Sequence, residues 1–166
     1  GGGNGGIPTG LVISDGKMLW GSLSATYYNV VGIDANGIMH VGNMTGQEAM
    51  DAGIRQACNF DAGPTLVING IPCNRYGDLG GGRADRTAIG QRADGAILML
   101  VTNGRQIGCL GATYDDLVSV MMQYGAVSAA ALDGGSSTLM LFDGEVMNTS
   151  SRVFGARTSA TSFLVK

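Results

Sequence analysis

Residues 132–138 read LDGGSST and follow the small apolar run VSAAA at 127–131. Their types suit an anionic or sugar ligand. Asp133 offers a carboxylate. Gly134 and Gly135 let a ligand approach the backbone, where successive N–H groups form an anion-binding nest. Ser136, Ser137 and Thr138 add hydroxyl donors. The same seven residues also read as a glycine-rich structural corner, so their neighbours must decide.

Arginine is the second chemical signal. Eight of the ten basic residues are Arg, and Arg83, Arg86, Arg105 and Arg157 lie in or beside glycine-rich stretches. A guanidinium holds phosphate through two parallel hydrogen bonds, which suits an anionic ligand. Other chemistries lack parts. His40 is the single histidine, which excludes histidine-rich metal sites and argues against a Ser-His-Asp triad. No Walker-type phosphate loop is present. The acids are 11 Asp and 2 Glu, and a pair for glycoside cleavage needs Asp133 joined by Asp61, Asp78 or Asp85. The sequence does not choose among these three. No ligand spacing demands a cofactor or metal, and a divalent ion near Asp133 is left open.

The elements that must position these residues form one domain over residues 1–166. Hydrophobic residues are 45%, charged residues 14% and the formal charge −3, which argues against disorder and against a nucleic-acid partner. No apolar run is long enough for a membrane span, and no secretory leader is legible. The opening GGGNGG, without Met, is expected to lie inside a longer polypeptide. Cys58, Cys73 and Cys109 are read as buried or free thiols, with a Cys58–Cys73 bridge as the oxidised alternative.

Glycine, at 29 residues, recurs in Asp-Gly or Asn-Gly pairs at 15–16, 36–37, 69–70, 94–95, 103–104 and 143–144. Such pairs suit tight hairpin turns, so the chain is expected to be rich in antiparallel sheet. Hairpins are expected at 10–20, 27–41, 86–104 and 138–147, with strands at 54–60, 65–71 and 160–166. His40 falls in a hairpin strand, where a structural role is expected. A short helix is expected over 45–53, capped by Thr45, and a longer one over 113–125. In the longer helix Thr113 and Asp116 resemble a capping box, and Leu117, Val120, Met121 and Tyr124 share an apolar face. Residues 72–86 read as a long loop, and no internal repeat is visible. The fold class is α+β: mixed, largely antiparallel sheet with about two helices.

Three blocks together resemble the phosphodiester glycosidase domain family, that of the mannose 6-phosphate uncovering enzyme and its bacterial and phage relatives. They are RTAIGQRADGAILMLVTNGR (86–105), TYDDLVSVMMQYGAVSAAALDGGSST (113–138) and VMNTSSRVFGARTSATSFLV (146–165). Segments 7–17 and 60–71 also resemble the family's earlier strands. The resemblance implies a pocket built from Arg86, Thr87, Arg105, residues 133–138, Asn148 and Arg157. It implies cleavage of a sugar–phosphate bond in a phosphodiester, with Asp133, Arg86 and Arg105 as the catalytic group and a glycan or sugar phosphate as ligand. It also implies an extracellular, cell-surface or virion setting and further segments of a longer polypeptide or an assembly as partners. There are two departures. The family's Asp-Gly-Arg stands here as Asn103-Gly104-Arg105, and its strands upstream of PTG are missing. The first favours a rival reading, a non-catalytic glycan-binding or structural module.

Overall fold

The computed structural model describes residues 6–60, 63–149 and 158–165. They fall into two compact units, Gly1–Asp61 with Thr158–Lys166, and Ala62–Arg157. The first unit contains β1 (Val12–Ser14), β2 (Lys17–Trp20), β3 (Tyr27–Asp34), β4 (Met39–Thr45), α1 (Gly46–Asp51) and β5 (Ile54–Asn59). Its sheet runs β2-β1-β5-β3-β4. Leu11, Ile13, Val30, Ala49, Ile54 and Ala57 form its core.

The second unit contains β6 (Thr65–Ile68), β7 (Ile71–Pro72), β8 (Arg86–Arg92), β9 (Ile97–Thr102), α2 (Tyr114–Gln123) and β10 (Ala126–Ala131). Its sheet runs β7-β6-β10-β8-β9. A small hairpin, β11 (Leu141–Phe142) and β12 (Glu145–Val146), follows. Leu66, Val67, Ala88, Leu117, Val118 and Met121 are buried between sheet and helix with Ala126, Ala129 and Ala131 of β10. Every strand pairing described is antiparallel. The chain therefore adopts the α+β, largely antiparallel class, with two helices among the described residues.

One plan occurs twice. In each unit two hairpins are followed by a helix and a fifth strand that inserts between them. Between the second hairpin and the inserted strand the register agrees residue by residue. Gly32 pairs with Ala57 in the first unit, and Gly90 with Ala129 in the second. A Cβ on Gly32 would stand 2.8 Å from that of Ala57, and one on Gly90 3.1 Å from that of Ala129. The N–H of Phe60 reaches the Asn29 carbonyl at 2.8 Å, as that of Leu132 reaches Thr87 at 2.8 Å. Both helices open on a threonine capping box, Thr45 with Glu48 and Thr113 with Asp116. The expectation of no repeat is thus corrected. The plan is held by backbone ladders that many side-chain sets satisfy, so little identity survives to reveal it.

The turn pairs divide by geometry. Asp15-Gly16, Asn69-Gly70 and Asp143-Gly144 have positive φ at both residues, as two-residue hairpin turns require. Asn103-Gly104 does not, and the left-handed residue there is Arg105, at φ 52°. Gly104 is glycine for a different reason. A Cβ on it would lie 2.5 Å from the Ala84 carbonyl carbon and the Asp85 nitrogen.

Other expectations shift as well. Residues 161–165 form no strand, and Leu164 and Val165 are largely exposed. They offer side chains suited to a strand but have no neighbouring ladder, and β structure needs both. The hairpin expected over 138–147 is confined to β11 and β12, because residues 135–137 curl into a 3-10 turn. On α2 the buried positions are Leu117, Val118 and Met121, with Tyr114 packed beside them, whereas Tyr124 is exposed. The i, i+3, i+4, i+7 stripe therefore starts at Tyr114. Cys58, Cys73 and Cys109 are all free thiols, so the bridge alternative does not form. His40 pairs with Asp34 at 3.0 Å, a structural tie within the β3–β4 hairpin.

Candidate functional site

Strand β10 is an alanine-rich central strand, pinned between β6 and β8 and covered by α2. Ala129, Ala130 and Ala131 are fully buried, and the small side chains of Ala126, Ala129 and Ala131 let the helix lie close. The chain leaves this rigid strand at Leu132, whose N–H is held by the Thr87 carbonyl, so Asp133 projects from a fixed point. Asp133, Gly134, Gly135, Ser136 and Ser137 are all part-exposed, while Thr138 is buried. The Thr87 hydroxyl donates to that of Thr138 at 3.3 Å and closes the loop onto β8.

Within the loop, much of the backbone is already engaged. Gly135 N–H donates to the Asp85 carbonyl at 2.8 Å, Ser137 N–H to Gly134 and Thr138 N–H to Gly135. A nest for an anion therefore narrows to the amides of Gly134 and Ser136. Gly134 is also glycine for packing, since a Cβ would lie 2.7 Å from the Asp85 carbonyl oxygen. Gly135 faces open space instead. Its φ is +58°, and the one group within 4 Å of a Cβ built there is Arg105 Nη1, at 3.9 Å. Arg105 and the 133–138 loop are thus brought together.

The remaining expected residues are placed as follows. Arg86 is buried, with Nε donating to the Ala112 carbonyl at 3.1 Å and Nη2 to the carbonyls of Gly81 and Gly82. Its guanidinium also stacks on the Tyr114 ring at 3.9 Å. It ties the glycine-rich loop to the start of α2. Asn148 is buried too, donating to the Thr138 carbonyl at 2.9 Å and accepting from Met140 N–H at 2.8 Å. It clamps the base of the β11–β12 hairpin. Asn103 accepts from Thr149 N–H at 2.9 Å through its side-chain oxygen. Arg157 and Asp61 lie outside the described residues.

Two of the acids considered as a second carboxylate are within view. Asp78 is exposed and accepts from Gly80 N–H, and its side chain approaches that of Asp115. Asp85 is 1% exposed and accepts from Gly104 N–H at 2.9 Å through Oδ1. Its Oδ2 is sealed and has no donor among the described residues. Tyr114 and the carbonyls of Gly81 and Gly82 were not singled out from the sequence. The signal available was the run of glycines directly before Arg86. Among the described residues, no three His, Cys, Asp or Glu side chains stand together as a metal cluster.

Comparison with known proteins follows the same lines. A family model described as phosphodiester glycosidase matches residues 1–166. The catalytic domain of zebrafish N-acetylglucosamine-1-phosphodiester alpha-N-acetylglucosaminidase, solved auto-inhibited by its pro-peptide, superposes with a TM-score of 0.71 at 18% identity. That match covers 86% of this chain and 50% of the zebrafish one. A hypothetical protein from Synechocystis superposes with a TM-score of 0.53 at 29% identity, over 73% of this chain and 23% of its own. The SPbeta prophage-derived uncharacterized protein YomE of Bacillus subtilis (strain 168) is 36% identical over 63 residues, 38% of this chain and 10% of YomE. The chain thus spans half the zebrafish structure and a tenth of the prophage protein.

Proposed function

Because the chain belongs to the phosphodiester glycosidase family, we propose that it hydrolyses the bond between a sugar and a phosphate in a phosphodiester. Water adds at the anomeric carbon, the carbon–oxygen bond to phosphate breaks, and the products are free sugar and a phosphomonoester. Asp133 either attacks that carbon or takes the proton from the water that does. A phosphate oxygen is a weakly basic leaving group, so it needs little protonation. Arg105 and the amides of Gly134 and Ser136 bind its charge.

The observation that carries this reading is the position of the Arg105 guanidinium over Gly135, two residues beyond Asp133 in the chain. A carboxylate at a rigid strand end, in the same loop as a glycine faced by an exposed cation, suits cleavage next to an anion. The test is release of sugar from a GlcNAc-1-phosphodiester with a chromogenic leaving group. Asp133→Asn is expected to lower turnover by at least 100-fold, and Arg105→Ala to weaken substrate use. Release unchanged in both variants overturns the reading.

A second reading rests on Asn103. Where the family resemblance has a carboxylate, this chain has an amide whose oxygen is engaged by Thr149 N–H. A glycan-binding or structural module keeping the pocket without turnover fits that exchange. Saturable glycan binding with no sugar release, unaltered by Asp133→Asn, supports it. The prophage-derived relative favours a virion or extracellular setting for either reading.

A further inference from the structure

Asp85 contacts both segments that build the site. Its main-chain carbonyl holds Gly135 N–H at 2.8 Å, and its Oδ1 holds Gly104 N–H at 2.9 Å. Gly104 is directly followed by Arg105. Gly135 is therefore held by the Asp85 carbonyl through its N–H and approached by the Arg105 guanidinium. Both flanking glycines are matched to this residue, since a Cβ on Gly104 or Gly134 would strike the backbone at Ala84–Asp85.

The repeated plan supplies an internal reference. Aligned by register through Gly32 and Gly90, the β3 and β8 hairpins set Tyr27 against Asp85. Tyr27 is 63% exposed and Asp85 is 1% exposed. The shared plan therefore does not call for a buried carboxylate at this point. Nor does stability favour one, because Oδ2 is sealed without a donor among the described residues.

We infer that Asp85 is a positioning residue, setting the turn that carries Arg105 in register with the loop that carries Asp133. This deepens the proposed function and rests on it for the ligand. Asp85 does not touch substrate. Its carboxylate acts on Gly104 and its main-chain carbonyl on Gly135, so loss of the side chain is transmitted through Gly104 to Arg105.

The test uses the whole chain and two readouts. The first needs no ligand: amide NMR shifts and hydrogen exchange of Gly104, Arg105 and Gly135. Asp85→Ala removes only the Gly104 bond, since the carbonyl that holds Gly135 is main chain, so it is expected to shift Gly104 and Arg105 and to speed exchange at Gly104 at least 10-fold. Asp85→Asn, which keeps a side-chain oxygen for Gly104, is expected to restore the native pattern. The second readout is titration with inorganic phosphate, where Asp85→Ala is expected to bind at least 10-fold more weakly and Asp85→Asn within about 2-fold of native. Val118→Ala, a core change on α2, serves as the stability-matched control and should leave phosphate affinity unchanged. A change in Asp85→Ala confined to Gly104, with Arg105 unmoved, overturns the inference. So does an equal loss of affinity in Val118→Ala. If the native chain does not bind phosphate, the anion pocket falls, while the ligand-free readout still judges Asp85.

Discussion

The Arg86 guanidinium carbon lies 3.9 Å from the centroid of the Tyr114 ring, at the point where the glycine-rich loop meets α2. The same guanidinium donates to the carbonyls of Ala112, Gly81 and Gly82. Residues 80–82 all have positive φ, so this segment has little regular structure of its own. Arg86 supplies the order that the loop lacks.

Arg86→Lys should therefore act mainly on stability. A point charge replaces a planar fork, so most of the three carbonyl bonds and the ring stacking are lost. The expected cost is about 3 kcal/mol, from charged hydrogen bonds at about 1.5–3 kcal/mol and cation–π contact at about 0.5–2 kcal/mol. In a chain of this size that is a fall in Tm of roughly 6–12 °C. Thermal unfolding followed by circular dichroism checks it, and an unchanged Tm contradicts the latch role.

The two glycines of the Asp133 loop should respond differently to alanine. Gly134→Ala sets a Cβ 2.7 Å from a carbonyl oxygen that is backbone and cannot swing away. The loop must shift, at an expected cost of about 1–3 kcal/mol as in an overpacked site. Gly135→Ala meets nothing closer than Arg105 Nη1 at 3.9 Å, but its φ is +58°. Its expected cost is about 1–2 kcal/mol of backbone strain. Urea unfolding of both variants, with amide spectra of residues 133–138, tests the contrast. A displaced loop in Gly135→Ala with an unmoved one in Gly134→Ala would reverse the assignment.

The start of α2 should be acid-sensitive. Backbone and side-chain hydrogen bonds from Thr113 hold the Asp116 carboxyl below its ordinary value of 3.8, with Arg83 assisting. A depressed folded-state pKa stabilises the protein above the unfolded value, and that contribution is lost as pH falls through the folded value. The loss should thus fall below about pH 4. Asp116→Asn is expected to be less stable than native at pH 6, with the gap closing by pH 2–3. Parallel unfolding curves of the two proteins across that range, with no narrowing of the gap, would exclude this cap as the source.

Cys58, part-buried on β5, gives a chemical test of desolvation in the first unit. Desolvation pushes its thiol up to about 11. Little thiolate forms at pH 8, and the thiolate is the reactive species. Iodoacetamide at pH 8 should leave Cys58 unmodified in the native chain and alkylate it after addition of denaturant. Peptide mass mapping reads this directly, and rapid native labelling at Cys58 would contradict the raised thiol pKa.

Much of the fold follows from local chemistry. Asp-Gly and Asn-Gly pairs set hairpins because only such residues adopt two successive positive φ angles cheaply, as at Asp15-Gly16 and Asn69-Gly70. Threonine with an acid three residues on sets both helix starts, because those groups close on each other within one turn. The LDGGSST loop and its arginine neighbours were legible for the same reason, as residue types unsuited to an ordinary turn.

Tertiary structure decided what each of these residues faces. Gly104 and Gly134 look like ligand-approach or turn glycines in the chain, and they are glycines because Asp85 lies against them. Arg86 and Arg105 are the same residue type beside similar loops. One is buried on carbonyls and an aromatic ring, and the other stands exposed over Gly135. Turns and caps are short-range and are written in adjacent residues. A partner 19 residues away, as Gly104 is for Asp85, is selected only when β8 and β9 pair and bring their ends together.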